Sequence, residues 1–361
     1  MPEVLRSILD SSVRERSKSI DRLILNHRNR FITLRDDVAL FLYRGGVASS
    51  ICVAGDFNNW DARSSPMRRL PGTDLHYLEL EVPPDSRVEY KFVRDGEWIL
   101  DPLNPQSVSG KFGQNSVLTM PKYVELWSTP EVPRRLGTLR RLDLANREIA
   151  SRWDISTYVP EAQGPASMLL VLGGSDYWEY GGIGHVVDQA TLSGATKHLA
   201  AILADPKDRA REYGMPRSCC QFLARELVPE VRQGLGLRRD PTRTAVIGAA
   251  RAGLISVLCT LNHPTEIGMA GAQSGYFTGR GYEMVVSSAA TGPCSSSVYL
   301  DCGSLETSVQ GQGSIAHASR EIAATLRSRG CRVKFLETNE GHNWTAWRRR
   351  LPVLLRFLFG G

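Results

Sequence analysis

The spacing of apolar positions changes three times along the chain. In the first stretch Leu5, Ile8, Leu9 and Val13 recur at helical intervals and predict a helix over residues 1–28. From about Asn29 to Lys122 the runs shorten. DDVALFLYRG, SSICVAGDF, LHYLELEV, VEYKFVRDG and NSVLTM are rich in Val, Ile, Phe and Tyr and are broken by turn residues. Short β-like runs at that spacing predict an all-β sandwich over 29–122. Asp95-Gly96, between two such runs, reads as a tight hairpin turn.

The proline-bearing stretch STPEVPRRLG (128–137) predicts a linker over 123–142. Beyond it, apolar strands alternate with helical segments. SMLLVLGG precedes a helix near 186–203, and a helix near 217–234 precedes TRTAVIGA. A helix starts at about 251. SSVYLDCG leads to a helix near 314–329, and CRVKFLET to a terminal helix. Near-continuous apolar strands between helices imply an α/β domain over 143–361, with a parallel sheet covered on both faces.

Composition narrows the classes of function. At 361 residues, 42% hydrophobic and 23% charged, the chain has the make-up of a globular protein of about two domains. The net charge of +6 favours acidic ligands slightly, but no long Lys/Arg run or finger motif points to nucleic acid. Arg348-Arg349-Arg350 reads as a solvated helix face. No run approaches the ~18 apolar residues of a membrane span. The N-terminus MPEVLRSILDSSVRERSK is charged throughout, without the apolar core of a secretory leader, so the expected compartment is the cytoplasm. Seven cysteines, an odd number without regular spacing, argue against a disulfide framework. The absence of CxxC and HExxH pairs argues against a zinc site, and no cofactor is implied.

The most informative stretch is TAVIGAARAG (244–253), an apolar strand running through small residues into a helix. That is the setting of the nucleophile elbow G-x-S-x-G, in which a serine occupies a strained strand-to-helix turn. Gly248 aligns with the first glycine, and the serine position is Ala250. Ala252 and Gly253 follow, so the second glycine is shifted or replaced.

Two resemblances then emerge. Gly55-Asp56-Phe57-Asn58-Asn59-Trp60, Tyr90-Lys91-Phe92, Asp95-Gly96-Glu97-Trp98 and Asp101-Pro102 resemble carbohydrate-binding module family 48, an early-set, immunoglobulin-like β-sandwich. It implies glycan contacts at Trp60, Lys91, Trp98 and Asn115, through ring stacking and polar donors, or a scaffolding role for the same turns. ADPKDRAREY (204–213), DYWEYGGI (176–183) and FLARELVPEV (222–231) resemble the enterochelin esterase and esterase-D-like family of α/β-hydrolases. That resemblance makes Glu306, at the end of VYLDCGSLE, the triad acid, with Asp301 as the alternative, and makes His342 the catalytic base. It implies an oxyanion hole from the amide of Arg251 and the turn at Gly174-Ser175. Trp178, Tyr180, Trp344 and Trp347 either line the cleft or belong to the core. Arg209, Arg211 and Tyr213 either border the pocket or form an ion-paired loop.

The chain departs from the family pattern. Gly173-Gly174 stands where the family has Asp-Gly, and Glu340-Gly341-His342-Asn343 where it has Gly-Gly-His-Asp. Ser218-Cys219-Cys220, at a predicted helix start, and Cys259 read as packing residues, His185 and His198 as helical, and His263 as structural. Three functions follow. The first is a carboxylic ester hydrolase acting on a siderophore, peptide or sugar ester, present as an inactivated variant or a divergent homologue with Ala250 for serine. The second is a non-catalytic ligand- or glycan-binding pseudo-esterase. The third is an acyl-transferase-like enzyme using His342 as base. The partner implied is a small-molecule ester, and a homodimer is compatible with all three.

Overall fold

The computed structural model describes residues 1–29, 31–45, 50–125, 136–142, 152–160, 167–196, 199–292, 294–308 and 313–360. It falls into two compact units. One comprises Met1–Glu125, Ser304–Glu306 and Thr338–His342, and the other Leu126–Gly303, Thr307–Glu337 and Asn343–Gly361. Half of the expected linker segment, including its prolines, lies outside the described residues, as does His198.

The first unit begins with two helices, Glu3–Asp10 and Val13–Asn29, where the apolar spacing predicts one. The break falls at Ser11-Ser12. The Ser11 hydroxyl donates back to the Ile8 carbonyl at 2.7 Å, the local competition with helical bonding that serine offers. Nine strands follow: β1 (Thr33–Arg35), β2 (Val38–Arg44), β3 (Ile51–Gly55), β4 (Arg68–Arg69), β5 (Leu75–Glu81), β6 (Arg87–Arg94), β7 (Glu97–Ile99), β8 (Ser107–Gly110) and β9 (Gly113–Thr119). They form two antiparallel sheets, β1-β2-β5-β4 and β3-β6-β9-β8, with β7 paired on β6 through the Asp95-Gly96 turn. The alternation of β2 explains its unbroken apolar run. Ala39, Phe41 and Tyr43 join Val53, Val88, Tyr90, Phe92 and Leu118 in one core. Leu40 and Leu42 face the opposite way and bury Leu5, Ile8, Ile20 and Leu23 of the two helices.

The second unit is built on one eight-stranded sheet. Its strands are β10 (Gly137–Arg141), β11 (Trp153–Pro160), β12 (Ser167–Leu172), β13 (Leu199–Pro206), β14 (Thr244–Ala249), β15 (Met269–Gln273), β16 (Ser297–Gly303) and β17 (Arg332–Thr338). The order is β10-β11-β13-β12-β14-β15-β16-β17, and β12 to β16 run parallel. This is the 1-2-4-3-5-6-7-8 sheet order of the α/β-hydrolase fold. Leu170 and Leu172 belong to a core with helices 251–262, 280–289 and 315–328. Leu169 and Val171 belong to a second core, with helices 183–192 and 344–359.

Three expectations need correction. The helix predicted near 186–203 ends at Leu192, and LAAILADP is strand β13, buried almost throughout. Its alanines favour a helix locally, but a central parallel strand accepts any small apolar run. Strand β10 lies inside the segment expected to be linker; four of its five residues are exposed, so it carries no apolar signal. Cys294 and Cys331 are disulfide-bonded, 37 residues apart, so the odd cysteine count hides one pair. Cys219, Cys220 and Cys259 are free and buried. Burial pushes the Cys219 and Cys259 thiols well up, which fits packing rather than nucleophilic chemistry.

A buried polar network ties four elements of the second unit together: β15, β16 and helices 174–179 and 344–359. Arg350 and Asp301, both 0% exposed at the side chain, pair at 3.1 Å. The Gln273 amide donates to Asp301 and to the Trp347 carbonyl, each at 3.0 Å, and accepts from the Tyr177 hydroxyl at 3.0 Å. Trp347 donates to the Ser274 hydroxyl at 2.8 Å.

Two predictions follow. Arg350→Met leaves the Asp301 carboxylate buried without its cation and should cost about 3–5 kcal/mol in urea unfolding; a loss under ~1 kcal/mol would remove the network from the stability account. His27 is 1% exposed, and burial lowers its pKa to about 4. The unfolded chain therefore binds this proton more readily, so stability is retained above the ordinary histidine pKa and lost as pH falls from about 6.5 towards 4, by up to about 3 kcal/mol. In melting curves from pH 7 to 4, His27→Phe should flatten that dependence, and an unchanged slope would contradict it.

Candidate active site

The site begins with backbone geometry. Ala250 has φ 52° and ψ −118°, a combination an L-residue adopts only at a cost of about 1–3 kcal/mol. The surroundings hold it there. Its amide donates to the Gln273 carbonyl at 2.9 Å, and its carbonyl accepts from Tyr276 at 3.1 Å and Leu254 at 3.3 Å. Gly248 is needed because a Cβ there would lie 2.6 Å from the Ala252 Cβ. One of these two positions can therefore carry a methyl group, and here it is 252. The sharp turn of a nucleophile elbow is thus present, with a half-buried methyl at its apex.

Arg251 opens helix Arg251–Asn262 immediately after the turn. Its amide is among the first-turn N–H groups that have no partner within a helix, and it sits at the positive end of the helix dipole. Because β12 pairs with β14, Val171 beside Ile247, the turns after these two strands leave the sheet side by side. In the turn after β12, the Gly173 amide donates to the Ala204 carbonyl at 3.0 Å. The Ser175 amide and hydroxyl both donate to the Asp205 carboxylate, at 2.7 and 2.9 Å. The Ser175 amide is therefore committed inward, and Gly174, the first residue of helix Gly174–Glu179, separates the two committed amides.

In the first unit, the His342 Nδ1 and a Glu306 carboxylate oxygen lie 2.8 Å apart. Glu306 is 1% exposed and His342 half-buried. Of the two acids weighed from sequence, Glu306 pairs with the imidazole and Asp301 with Arg350. A buried carboxylate on Nδ1 sets the tautomer that leaves Nε2 to accept a proton.

The remaining candidates divide. Arg209 is held by Asp176 and, at 2.8 Å, by Asp205, so the ion-paired reading of its loop holds. Arg211 is exposed, and its amide is capped by Asp208. The Tyr213 ring packs on Trp153, and burial pushes its hydroxyl pKa up. Trp178 is half-buried and packs on Tyr158, and Trp347 is a core residue, 5% exposed and bonded to Ser274. Tyr180 and Trp344 are half-buried, with ring centroids 6.1 Å apart. In the sandwich, Trp60 and Trp98 stack at 6.4 Å with 29° between their planes, and Trp98 is 44% exposed. Lys91 is half-buried on β6, and Asn115 donates to Glu89 at 2.8 Å. Sequence reasoning missed Asp205, Gln273 and Ser274 as supports of the site; Asp205 lies in the ADPKDRAREY segment without having been singled out, and Gln273 and Ser274 sit in no motif that marks them. Among the described residues no cluster of His, Cys, Asp or Glu could hold a metal ion, and no helix is long and apolar enough to cross a membrane.

Comparison with known proteins agrees with this geometry. The ferric enterobactin esterase of Salmonella typhimurium superposes with a TM-score of 0.74 at 20% identity, over 91% of this chain and 95% of that one. The enterochelin esterase of Shigella flexneri gives 0.70 at 20% identity, over 91% and 94%. Likeness at that identity establishes the α/β-hydrolase fold. The 5'-AMP-activated protein kinase subunit beta-1 of Sus scrofa is 30% identical over 83 residues. That match spans 23% of this chain and 63% of the kinase subunit, less than two thirds of its length. A family model described as putative esterase matches residues 147–358, more than half of the chain. With the hydrolase sheet order and the elbow turn beside it, that match places the chain in the putative esterase family.

Proposed function

We propose that the protein recognises a small-molecule carboxylic ester in a serine-esterase site whose nucleophile position carries alanine. The observation that carries this reading is the backbone of Ala250. A methyl group gains nothing from φ 52°, yet the turn is held there by three hydrogen bonds. The strain has a use when an oxygen stands at that point as the nucleophile of an acyl transfer.

In the proposed chemistry a serine Oγ at position 250 bonds to the ester carbonyl carbon while His342 takes its proton. The carbonyl oxygen becomes an oxyanion, held by the amides of Arg251 and Gly174. As the carbonyl re-forms, the ester C–O bond breaks and the imidazolium protonates the departing alkoxide. Water then releases the acid by the same route in reverse. Glu306 orients the ring and stabilises its charge. With alanine at 250 the first bond cannot form, and loss of the serine costs on the order of 10⁶-fold in kcat. The chain as it stands is then an ester-binding protein. The enterobactin esterases with the same fold, and the half-buried Tyr180–Trp344 pair, support an aromatic ester of the siderophore class over a sugar or peptide ester.

A second reading concerns the sandwich. The stacked Trp60–Trp98 pair, with Trp98 open to solvent, supports a carbohydrate contact of the family 48 type.

Ala250→Ser should raise hydrolysis of p-nitrophenyl and catechol-type esters by at least about 10⁴-fold, and adding Glu306→Gln should remove about 10³-fold of that gain in kcat. No gain on any ester class would defeat the esterase reading. Retention on amylose or glycogen should fall with Trp98→Ala; equal retention of the variant, or none by the parent, removes the carbohydrate reading.

A further inference from the structure

The Glu306–His342 pair belongs to the same compact unit as the β-sandwich, and the contacts that hold it there can be named. Leu305 packs against the sandwich core. The Asn339 side chain donates to Asp85 at 2.7 Å, its carbonyl accepts from the Arg87 amide at 3.3 Å, and Ser304 bonds to its side chain. Asp56 lies against Gly341, the residue that precedes the histidine. It is 4% exposed in the GDFNNW turn, accepts from the Trp60 indole at 3.1 Å and accepts from the Glu89 amide at 2.8 Å. Gly341 is pressed against it, for a Cβ there would fall 2.1 Å from the Asp56 carboxyl carbon and from one of its oxygens. No flexible side-chain tip lies in the way, because both Asp56 oxygens are tied into the turn and β6.

We propose that Asp56 is a positioning residue for His342: its fixed carboxyl seats Gly341 and so sets the imidazole against Glu306. This rests on the reading of the dyad as a catalytic base and its acid. It also assigns two of the glycan-matching side chains an inward task. Trp60 donates to Asp56, and Asn115 donates to Glu89, the neighbour whose amide holds Asp56. Burial, with the Glu89 charge second, pushes the Asp56 carboxyl up to about 8, so at neutral pH it is largely protonated and adds little charge beside Glu306.

The test uses the full chain. In the parent, the His342 Nδ1 proton should resonate far downfield in proton NMR through its bond to Glu306, and Glu306→Gln should abolish that signal. Gly341→Ala and Asp56→Ala should shift or broaden it, and Asp56→Asn should do so to a smaller degree, because its NH2 group cannot accept one of the two N–H bonds that hold Asp56. In the Ala250→Ser background, Gly341→Ala and Asp56→Ala should lower kcat by about 10²-fold with KM within threefold, the cost of a misplacement near 1 Å. An unaltered downfield signal together with kcat within threefold of the parent in both variants would overturn the proposal. Should Gly341→Ala not fold, Asp56→Ala decides alone; should both fail, Trp60→Phe, which removes the indole donor that holds Asp56, decides, and an unaltered downfield signal in that variant overturns the proposal. The NMR arm needs no hydrolysis, so failure of the esterase reading leaves this inference separately tested.

Discussion

The second unit depends on a single conformational constraint, the passage of the chain from β14 to helix Arg251–Asn262 through a residue at positive φ. Everything around that residue serves to hold it. Gly248 removes the Cβ that would collide with Ala252, and Gln273 takes the amide of residue 250. Gln273 is in turn fixed by Asp301, which is neutralised by Arg350. A buried ion pair is a poor way to stabilise a core, since desolvation consumes most of the Coulomb gain. Here it determines the position of a backbone carbonyl, and that carbonyl determines the turn. The strain, about 1–3 kcal/mol, is small enough for such a network to impose.

The same logic separates two carboxylates on neighbouring stretches of chain. Asp301 and Glu306 are five positions apart and almost equally buried. What differs is the group each meets. Asp301 faces a guanidinium that stays charged, so it forms a permanent structural pair. Glu306 instead meets a ring nitrogen, the Nδ1 of His342, at 2.8 Å. Neighbour chemistry, more than burial, assigns the roles.

Much of this is legible in the sequence, for reasons that can be located. The elbow reads clearly because strand, small-residue turn and helix occupy consecutive positions. The sandwich reads clearly because turn residues punctuate it, although the division of the first helix at Ser11-Ser12 does not. β13 was hidden by its alanines, and β10 by its arginines, which an exposed edge strand tolerates and even favours. The Cys294–Cys331 bond could not be inferred from an odd cysteine count, because pairing depends on which turns meet in space. The aromatic candidates of the cleft were the least legible. Trp347 carries the same letter as a pocket residue but is buried in the core, while Trp178 and Tyr213 are half-buried and pack on Tyr158 and Trp153, and only burial and ring contacts separate the cases.

Chain connectivity adds a last constraint. The boundary between the two compact units falls between His342 and Asn343. On one side of it, Thr338–His342 is held by bonds to Asp85, Arg87 and Ser304 and by the contact of Gly341 with Asp56. On the other side, Asn343 caps helix Trp344–Phe359, accepting from the Ala346 amide at 2.8 Å. Within the first unit the histidine is therefore held through its preceding residues, by a loop anchored to the β-sandwich. That anchor, like the Glu306 hydrogen bond, is made by residues of the first unit and involves no side chain at position 250, so the geometry of the pair does not depend on which side chain stands there.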